Sequence, residues 1–225
     1  LFNNSFKRRM NNEPISKIFN SKFFWKHNFF VNKHVLDPRP ESELIIEKIL
    51  DFYPDKNKKL KILDICTGSG CLAVSIANEY KNAQITATEL SIDALKVAKI
   101  NAKKFDCYNR IYFINCDLFN QNNIFDIVVS NPPYLSEKEY HNTSSEIRFF
   151  EPKIAFIASN NGYEFYLKMA NLFPKIIDNN SRVFLEIGSK QAEKTIDIFK
   201  SKGINCIKIV KDIQNLNRVL ILNKS

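Results

Sequence analysis

The chain lacks the cysteine and histidine patterns that bind metals or form disulfide frameworks. Its 5 cysteines are odd in number and widely spaced, with no C-x-x-C pair, and its 3 histidines form no cluster. Zinc sites and disulfide-rich domains need closer, regular spacings. The sequence therefore predicts reduced cysteines, a cytoplasmic protein and no bound metal.

Long hydrophobic runs are also missing. No apolar segment approaches the length of about 20 residues that a membrane-spanning helix needs. The first twelve residues carry basic side chains but no apolar stretch of the kind that forms a signal peptide. We expect a protein that does not insert into a membrane.

Positive charge is in excess, since 33 Lys and Arg residues face 24 Asp and Glu residues and give a net charge of +9. Such a balance favours an anionic partner, either RNA or a protein associated with RNA. With 225 residues, 44% of them hydrophobic, the chain can bury one substantial core. We expect one main domain and a monomer.

Short apolar runs alternate with helical periodicity from residue 60 onward, which is typical of an α/β fold with a parallel sheet. Residues 1–40 show no clean periodicity and are predicted to be an extension packed on the core. The sequence predicts a Rossmann-like sheet of seven strands with helices on both faces, the last two strands being an antiparallel pair. The predicted strands are 60–65, 84–89, 110–115, 126–130, 182–187, 204–210 and 218–222.

Two of the 5 glycines, Gly68 and Gly70, follow the first strand of this pattern, and a helix of small and apolar residues comes directly after them. Glycine allows a tight turn and a close ligand approach at the end of a strand, where doubly wound sheets bind nucleotides. The predicted cofactor-binding residues in this loop are Cys66, Thr67, Gly68, Ser69 and Gly70.

Acidic residues at the ends of the next two strands extend this prediction. Glu89 ends the second strand, where a carboxylate can accept two hydrogen bonds from a ribose diol. Asp117 follows the third strand and could accept from an adenine amine, while Leu118 covers the ring. The loop lacks the third glycine of G-x-G-x-x-G, because position 73 is alanine. A methyltransferase is therefore favoured over a dehydrogenase, although some dehydrogenases tolerate alanine there.

The tetrapeptide Asn131-Pro132-Pro133-Tyr134 directly follows the fourth strand. The nitrogen of a planar amide or aryl amine is a poor nucleophile, and acceptors at its two N–H bonds favour attack on a methyl group. The Asn131 side-chain carbonyl and the Pro132 backbone carbonyl can be those acceptors, held by two prolines with restricted torsions. Tyr134 offers a flat face against which the substrate can stack. We predict that Asn131, Pro132 and Tyr134 are catalytic.

This chemistry leaves the substrate open. The same tetrapeptide suits a protein amide or the exocyclic amine of a nucleic-acid base, such as N6 of adenine. A chain of this length has little room for a nucleic-acid-recognition domain. A further alternative is a binding module that has lost its activity, against which the intact Asn131 and glycine loop argue.

Several further segments resemble the HemK-type release factor glutamine N5-methyltransferases, which are class I S-adenosylmethionine-dependent enzymes. The similarity includes the tetrapeptide and the segments Pro38-Arg39-Pro40-Glu41-Ser42-Glu43, Phe150-Glu151-Pro152 and Leu185-Glu186-Ile187-Gly188. The resemblance implies that S-adenosylmethionine, with S-adenosylhomocysteine as product, contacts the loop, Glu89, Leu118 and Asn131. It implies that the glutamine of the release factor Gly-Gly-Gln motif lies against Asn131, Pro132, Pro133 and Tyr134.

The resemblance also implies a domain organisation. Residues 1–40 would be the remnant of the helical substrate-recognition domain and its linker, and residues 41–225 would be the catalytic domain. Cys66 and Cys71 give a C-T-G-S-G-C loop, whereas the release factor enzymes more often have glycine at the first position. This variant resembles sister enzymes that methylate a ribosomal protein glutamine, so that substrate is an alternative.

Overall fold

A computed structural model describes residues 2–224 of the chain. The strands are β1 (Ser21–Phe24), β2 (His27–Phe30), β3 (Lys61–Ile65), β4 (Gln84–Glu89), β5 (Ile111–Asn115), β6 (Ile127–Ser130), β7 (Arg182–Glu186), β8 (Ile204–Lys211) and β9 (Asn217–Lys224). The helices are α1 (Phe2–Met10), α2 (Ile15–Phe19), α3 (Glu43–Phe52), α4 (Cys71–Glu79), α5 (Ile92–Lys104), α6 (Glu137–His141), α7 (Ser145–Phe150), α8 (Ser159–Gly162), α9 (Glu164–Ile176) and α10 (Ala192–Lys200).

Strands β3 to β9 form one sheet in the order β5-β4-β3-β6-β7-β9-β8. The first five of these pair in parallel, and β9 lies antiparallel between β7 and β8. The predicted Rossmann-like sheet of seven strands with a closing antiparallel pair is therefore confirmed. The prediction succeeded because short apolar runs separated by amphipathic helices are compatible with few other topologies.

Helices cover both faces of this sheet, so its central strands are buried on both sides. All four residues of β6 are buried, as are four of the five in β3 and in β7. One apolar cluster joins the sheet to α3 and α4, and a second joins it to α9 and α10. Double coverage explains why these strands are continuous apolar runs without a polar face.

The topology creates a crevice beside β3. The chain continues from β3 to β4 on one side, while β6 lies on the other side of β3. Loops leaving the carboxyl ends of β3 and β6 therefore diverge and leave a gap between them, which is where open α/β sheets bind ligands. Both predicted functional loops leave this edge.

The first 40 residues contain more regular structure than their sequence indicates. They form α1, α2 and the antiparallel hairpin β1–β2, whose turn holds Trp25 at a positive φ of 55°. A bulky residue with positive φ is uncommon in such a turn, so no local sequence pattern predicts this hairpin. Phe24 and Phe29 are fully buried in the same cluster as α3 and α4. The hairpin thus packs on the sheet domain.

The segment 135–160, which shows no periodic apolar pattern, contains the short helices α6 and α7 and the beginning of α8. Ser136 and Glu139 form a reciprocal capping box at the start of α6, and the Ser144 side chain caps α7. The S-x-x-E spacing of a capping box was present in the sequence, but the helices after it are too short for a periodic apolar pattern.

Some features are missing from the part of the chain that the structure describes. Among the helices formed by residues 2–224, none has the length and apolar composition needed to cross a bilayer. Within the same residues, His, Cys, Asp and Glu side chains form no group of three that could hold a metal ion. Leu1 and Ser225, the ends of the two predicted regions, lie outside the described residues.

Candidate active site

The loop after β3 turns through three residues in the left-handed region. Cys66 has φ 62°, Gly68 has φ 56° and Gly70 has φ 79°. A Cβ on Gly68 would meet no backbone or side chain closer than 4.0 Å, whereas one on Gly70 would come within 3.1 Å of Ala98 on α5. Gly68 therefore leaves open space for a ligand, and Gly70 allows α4 and α5 to pack closely.

The buried carboxyl of Asp64 supports this loop through hydrogen bonds. Asp64, on β3, is fully buried and its Oδ2 atom accepts hydrogen bonds from the Thr67 hydroxyl at 2.5 Å and the Ala73 amide at 3.2 Å. Burial raises the pKa of Asp64 to about 7, although both hydrogen bonds oppose that shift. Asp64 thus links the strand, the loop and the first turn of α4.

Glu89 lies at the end of β4 and is held by the backbone on both sides. Its Oε2 atom accepts from the Gly68 amide and its Oε1 atom from the Ser91 amide, each at 2.9 Å. Burial raises the pKa of Glu89, while these backbone hydrogen bonds lower it. Because each carboxylate oxygen has two lone pairs, both can still accept a hydrogen bond from a ligand.

Residues of the loop after β3 line a cleft, together with residues at the carboxyl ends of β4, β5 and β6. Of the predicted cofactor-binding set, Gly70 is the only residue that does not line it. The eight that do are Cys66, Thr67, Gly68, Ser69, Glu89, Asp117, Leu118 and Asn131. The topology therefore brings together loops that follow β3, β4, β5 and β6.

Asp117 and Leu118, which line the cleft side by side, differ in polarity and in exposure. Asp117 is partly exposed, and its Oδ2 atom accepts a hydrogen bond from Lys168 Nζ at 3.0 Å. Its other oxygen remains available as an acceptor. Leu118 is 9% exposed and packs with the core beside the cleft. An apolar wall next to a carboxylate is suited to a flat, polar-edged ring.

The tetrapeptide separates this cleft from a second cavity. Pro133 lines the first cleft, and Pro132 and Tyr134 line the second cavity. Asn131 lines both. Among the described residues, none donates a hydrogen bond to the Asn131 side-chain oxygen, whereas its Nδ2 atom donates to Ser42 Oγ at 2.9 Å. The side chain is therefore held at its nitrogen with its oxygen unengaged.

The backbone of the tetrapeptide is held by Gln191, which directly precedes α10, and lies close to Gly162. Gln191 Nε2 donates to the Tyr134 carbonyl at 2.9 Å, and Gln191 Oε1 accepts from the Gly188 amide. Gly162 has φ 88°, and a Cβ there would lie 2.3 Å from the Tyr134 carbonyl oxygen. The close approach at Gly162 requires glycine.

Sequence reasoning assigned no role to several residues that the structure places at the site. Arg39 donates to Glu151 Oε1 at 2.7 Å, and the Asp37 amide donates to Glu151 Oε2 at 3.0 Å. These bonds join the region around Arg39 to the Phe150-Glu151-Pro152 segment. Arg39 and Glu151 are 112 residues apart in the sequence. Ser42 and Glu186 form a similar link behind Asn131. The resemblance was the only signal for these residues, because spacing alone cannot predict such contacts.

Comparison with known proteins gives matches across the chain. Residues 23–157 match the family model of the methyltransferase small domain. The release factor glutamine methyltransferase of Thermodesulfovibrio yellowstonii is 36% identical over 97% of this chain and 79% of its own length. This chain belongs to the release factor glutamine methyltransferase family. The predicted family is therefore confirmed.

Other relatives in sequence and structure extend the comparison. The bifunctional methyltransferase of Rickettsia typhi is 38% identical over 97% of this chain but 46% of its own length, so the chain spans less than half of that relative. The solved ribosomal protein L11 methylase of Lactobacillus delbrueckii subsp. bulgaricus aligns with a TM-score of 0.63. The two chains are 16% identical, and the alignment covers 87% of this chain and 84% of the L11 methylase chain. This structural similarity supports the class I methyltransferase fold.

Proposed function

We propose that this chain transfers a methyl group from S-adenosylmethionine to the side-chain amide nitrogen of a protein glutamine, the glutamine of the Gly-Gly-Gln motif in peptide chain release factors. The observation that carries the proposal is the position of Asn131, whose side chain lines both the cofactor cleft and the second cavity. A residue at that junction can contact a methyl donor on one side and an acceptor nitrogen on the other.

The cleft residues fit the proposed cofactor. Glu89 presents two oxygens that are anchored by backbone amides and can accept from the two hydroxyls of a ribose. Gly68 leaves room for the ligand, and Leu118 offers an apolar surface to an adenine ring. S-adenosylmethionine supplies an electrophilic methyl group on a sulfonium sulfur.

The tetrapeptide would provide hydrogen-bond acceptors for both N–H bonds of the substrate amide. The unengaged Asn131 oxygen accepts one amide N–H and the Pro132 carbonyl accepts the other, so both acceptors become stronger partners as the nitrogen gains positive charge. The Tyr134 ring lies along the second cavity and packs against the planar amide. These residues hold the nitrogen for attack without taking a proton from it in advance. As the N–C bond forms, the C–S bond breaks to leave the thioether of S-adenosylhomocysteine, and the methylated nitrogen then releases one proton to solvent.

Two further assignments rest on this proposal. The hairpin and helices of residues 1–40 would help to grip the release factor, since they are continuous with the segment that lines both cavities. The proposed substrate acts in translation, so we propose a cytoplasmic location. The net charge of +9 is compatible with substrates that work on RNA-rich particles.

The test is a methylation assay with labelled S-adenosylmethionine, followed by mass spectrometry to locate the methyl group. Four substrates are incubated in separate reactions: purified release factor, purified ribosomal protein, an adenine-containing oligonucleotide, and a release factor whose Gly-Gly-Gln glutamine is replaced by alanine. We expect label on the intact release factor alone. Label on the oligonucleotide or on the ribosomal protein, with none on the release factor, would reject the proposal.

The same assay tests the role of Asn131. Asn131→Ala removes an acceptor that acts in the transition state, so kcat should fall by about 100-fold or more while S-adenosylhomocysteine binding, measured by calorimetry, is largely retained. The exposed Asn109 provides the control, since Asn109→Ala changes an asparagine that lines neither cavity. Equal turnover of wild type and Asn131→Ala would exclude the acceptor role.

A further inference from the structure

Behind the tetrapeptide, four side chains form a continuous hydrogen-bonded chain. Asn131 Nδ2 donates to Ser42 Oγ at 2.9 Å, and Ser42 Oγ donates to Glu186 Oε2 at 2.5 Å. The Tyr134 hydroxyl lies 3.4 Å from Glu186 Oε1 and donates to it. Ser42 is 2% exposed and Glu186 is 1% exposed, so both side chains are shielded from bulk solvent.

The order of donors along this chain is determined by the carboxylate. An ionised Glu186 can only accept hydrogen bonds, so the single hydroxyl proton of Ser42 must point toward it. Ser42 Oγ can then only accept from Asn131, which requires the amide nitrogen of Asn131 to face Ser42. The carbonyl oxygen of Asn131 is thereby turned to the opposite side, where the two cavities meet.

We propose that Ser42 and Glu186 are positioning residues, which orient the Asn131 amide so that its oxygen faces the nitrogen to be methylated. This inference rests on the proposed function for the identity of that nitrogen, but not for the orientation itself. Without the pair, the Asn131 amide could rotate by half a turn and present its NH2 group to the substrate. Two donors would then face each other, and the substrate nitrogen would lose an acceptor.

The surroundings of Glu186 make this orientation sensitive to pH. Burial raises the pKa of Glu186 to about 7, while the Ser42 hydrogen bond and the positive charge of Arg218 oppose the rise. Glu41, on the same turn as Ser42, raises it further, and the Tyr134 hydroxyl lowers it. Below this pKa the carboxyl carries a proton that it can donate to Ser42, and the order of donors is no longer enforced.

The first experiment needs no substrate. The side-chain amide signals of Asn131 are followed by NMR from pH 5.5 to 8.5 in 15N-labelled protein, and are identified by their absence in Asn131→Ala. We expect them to shift with a midpoint near 7 in wild type and to show no such titration in Glu186→Gln or Ser42→Ala. Signals that titrate identically in all three proteins, or in none, would overturn the proposal.

The second experiment measures kcat and KM across the same pH range. The wild-type kcat should rise with pH through about 7, because Glu186 must be ionised, and Glu186→Gln should lose this dependence. Ser42→Ala should lower kcat by about 10- to 100-fold with KM for the protein substrate little changed. The double variant Ser42→Ala/Glu186→Gln should have a kcat no more than about twofold below that of Ser42→Ala, because the two residues act as a unit.

Controls separate positioning from folding and from the choice of substrate. Glu193→Gln changes an exposed carboxylate on α10 and should match wild type throughout. S-adenosylhomocysteine affinity and circular dichroism show whether each variant is folded. If Glu186→Gln does not fold, the comparison of wild type with Ser42→Ala still tests the proposal. If wild type does not methylate the release factor, the proposed function fails, while the NMR result still decides the positioning role. An unchanged kcat in Ser42→Ala, or an intact pH dependence in Glu186→Gln, contradicts the proposal.

Discussion

At the scale of single residues, Glu89 is held by the backbone at both of its carboxylate oxygens. The Gly68 and Ser91 amides donate to different oxygens of the same carboxylate. This arrangement fixes the plane of the carboxylate and couples the glycine loop to the end of β4. A ligand diol would therefore meet a preorganised pair of acceptors, with little conformational entropy to lose on binding.

We predict that Glu89→Gln lowers S-adenosylhomocysteine affinity by about 10- to 100-fold. The glutamine NH2 group must face either the Gly68 or the Ser91 amide, and two donors in contact leave a buried N–H unsatisfied. One acceptor for the ligand is lost as well. Isothermal titration calorimetry measures the effect, and Glu193→Gln is the matched control. The same dissociation constant in wild type and Glu89→Gln would contradict the role assigned to Glu89.

The sequence alone predicted that residues following several strands would meet in one cleft, and the structure brings them together there. Glu89, Asn131 and the glycine loop were predictable because parallel strands end at one edge of the sheet, so position along the chain implies proximity. Ser42 and Glu186 received no role, although they lie directly behind Asn131. Their contact spans 144 residues and depends on where Pro40–Ser42 packs against β7, which no local pattern reports.

At the scale of elements, Asn101 on α5 ties the N-terminal hairpin to the loop between β3 and α4. Its Oδ1 atom accepts from the Phe30 amide at 2.7 Å, and its Nδ2 atom donates to the carbonyls of Phe30 and Ser69 at 2.9 and 2.8 Å. Asn101 is fully buried. One side chain therefore satisfies backbone groups on both β2 and the loop between β3 and α4.

We predict that Asn101→Ala lowers the free energy of unfolding by about 2–4 kcal/mol, because it leaves buried backbone groups without partners. Urea denaturation followed by circular dichroism measures the change, with the exposed Asn109→Ala as control. Cofactor affinity should fall as well, since the Ser69 carbonyl loses its support. An unfolding midpoint equal to that of wild type would show that water replaces Asn101 and that the link is dispensable.

The elements that the sequence predicted correctly are those that belong to the alternating pattern of apolar runs and helical segments. Strands β4 and β5 were predicted within one residue of their observed bounds. The hairpin was not predicted, because it precedes this pattern and its turn contains Trp25 in place of a typical turn residue. Trp25 is held there by tertiary contacts, its Nε1 atom donating to Glu79 at 2.9 Å and its amide to Glu43 at 2.7 Å.

At the scale of the whole molecule, Glu79 connects three separate parts of the chain. It lies at the end of α4 and accepts hydrogen bonds from Trp25 and Lys26 in the hairpin turn and from Lys56 ahead of β3. Burial alone would raise the pKa of Glu79, but these donors together lower it to about 2. The hairpin and the sheet domain are thus linked by one carboxylate that stays ionised well into acid.

The direction of this shift predicts how stability depends on pH. The ordinary pKa of a glutamate is 4.5, so the unfolded chain binds the proton before the folded chain does. The stabilisation is complete above about pH 5 and is lost as pH falls toward 2. Because Lys26 and Lys56 are more than half exposed and therefore screened, we expect about 1–2 kcal/mol and not the full value of the shift.

We therefore predict that Glu79→Gln lowers the free energy of unfolding by about 1–2 kcal/mol at pH 7 and has progressively less effect between pH 5 and 2. Denaturant unfolding at a series of pH values measures the difference, and Asp197→Asn, which alters an exposed acid on α10, is the control. Because Glu79 lies at the opposite end of α4 from the glycine loop, S-adenosylhomocysteine affinity at pH 7 should be unchanged. A difference between wild type and Glu79→Gln that stays constant down to pH 2 would mean that Glu79 acts through packing and not through its charge.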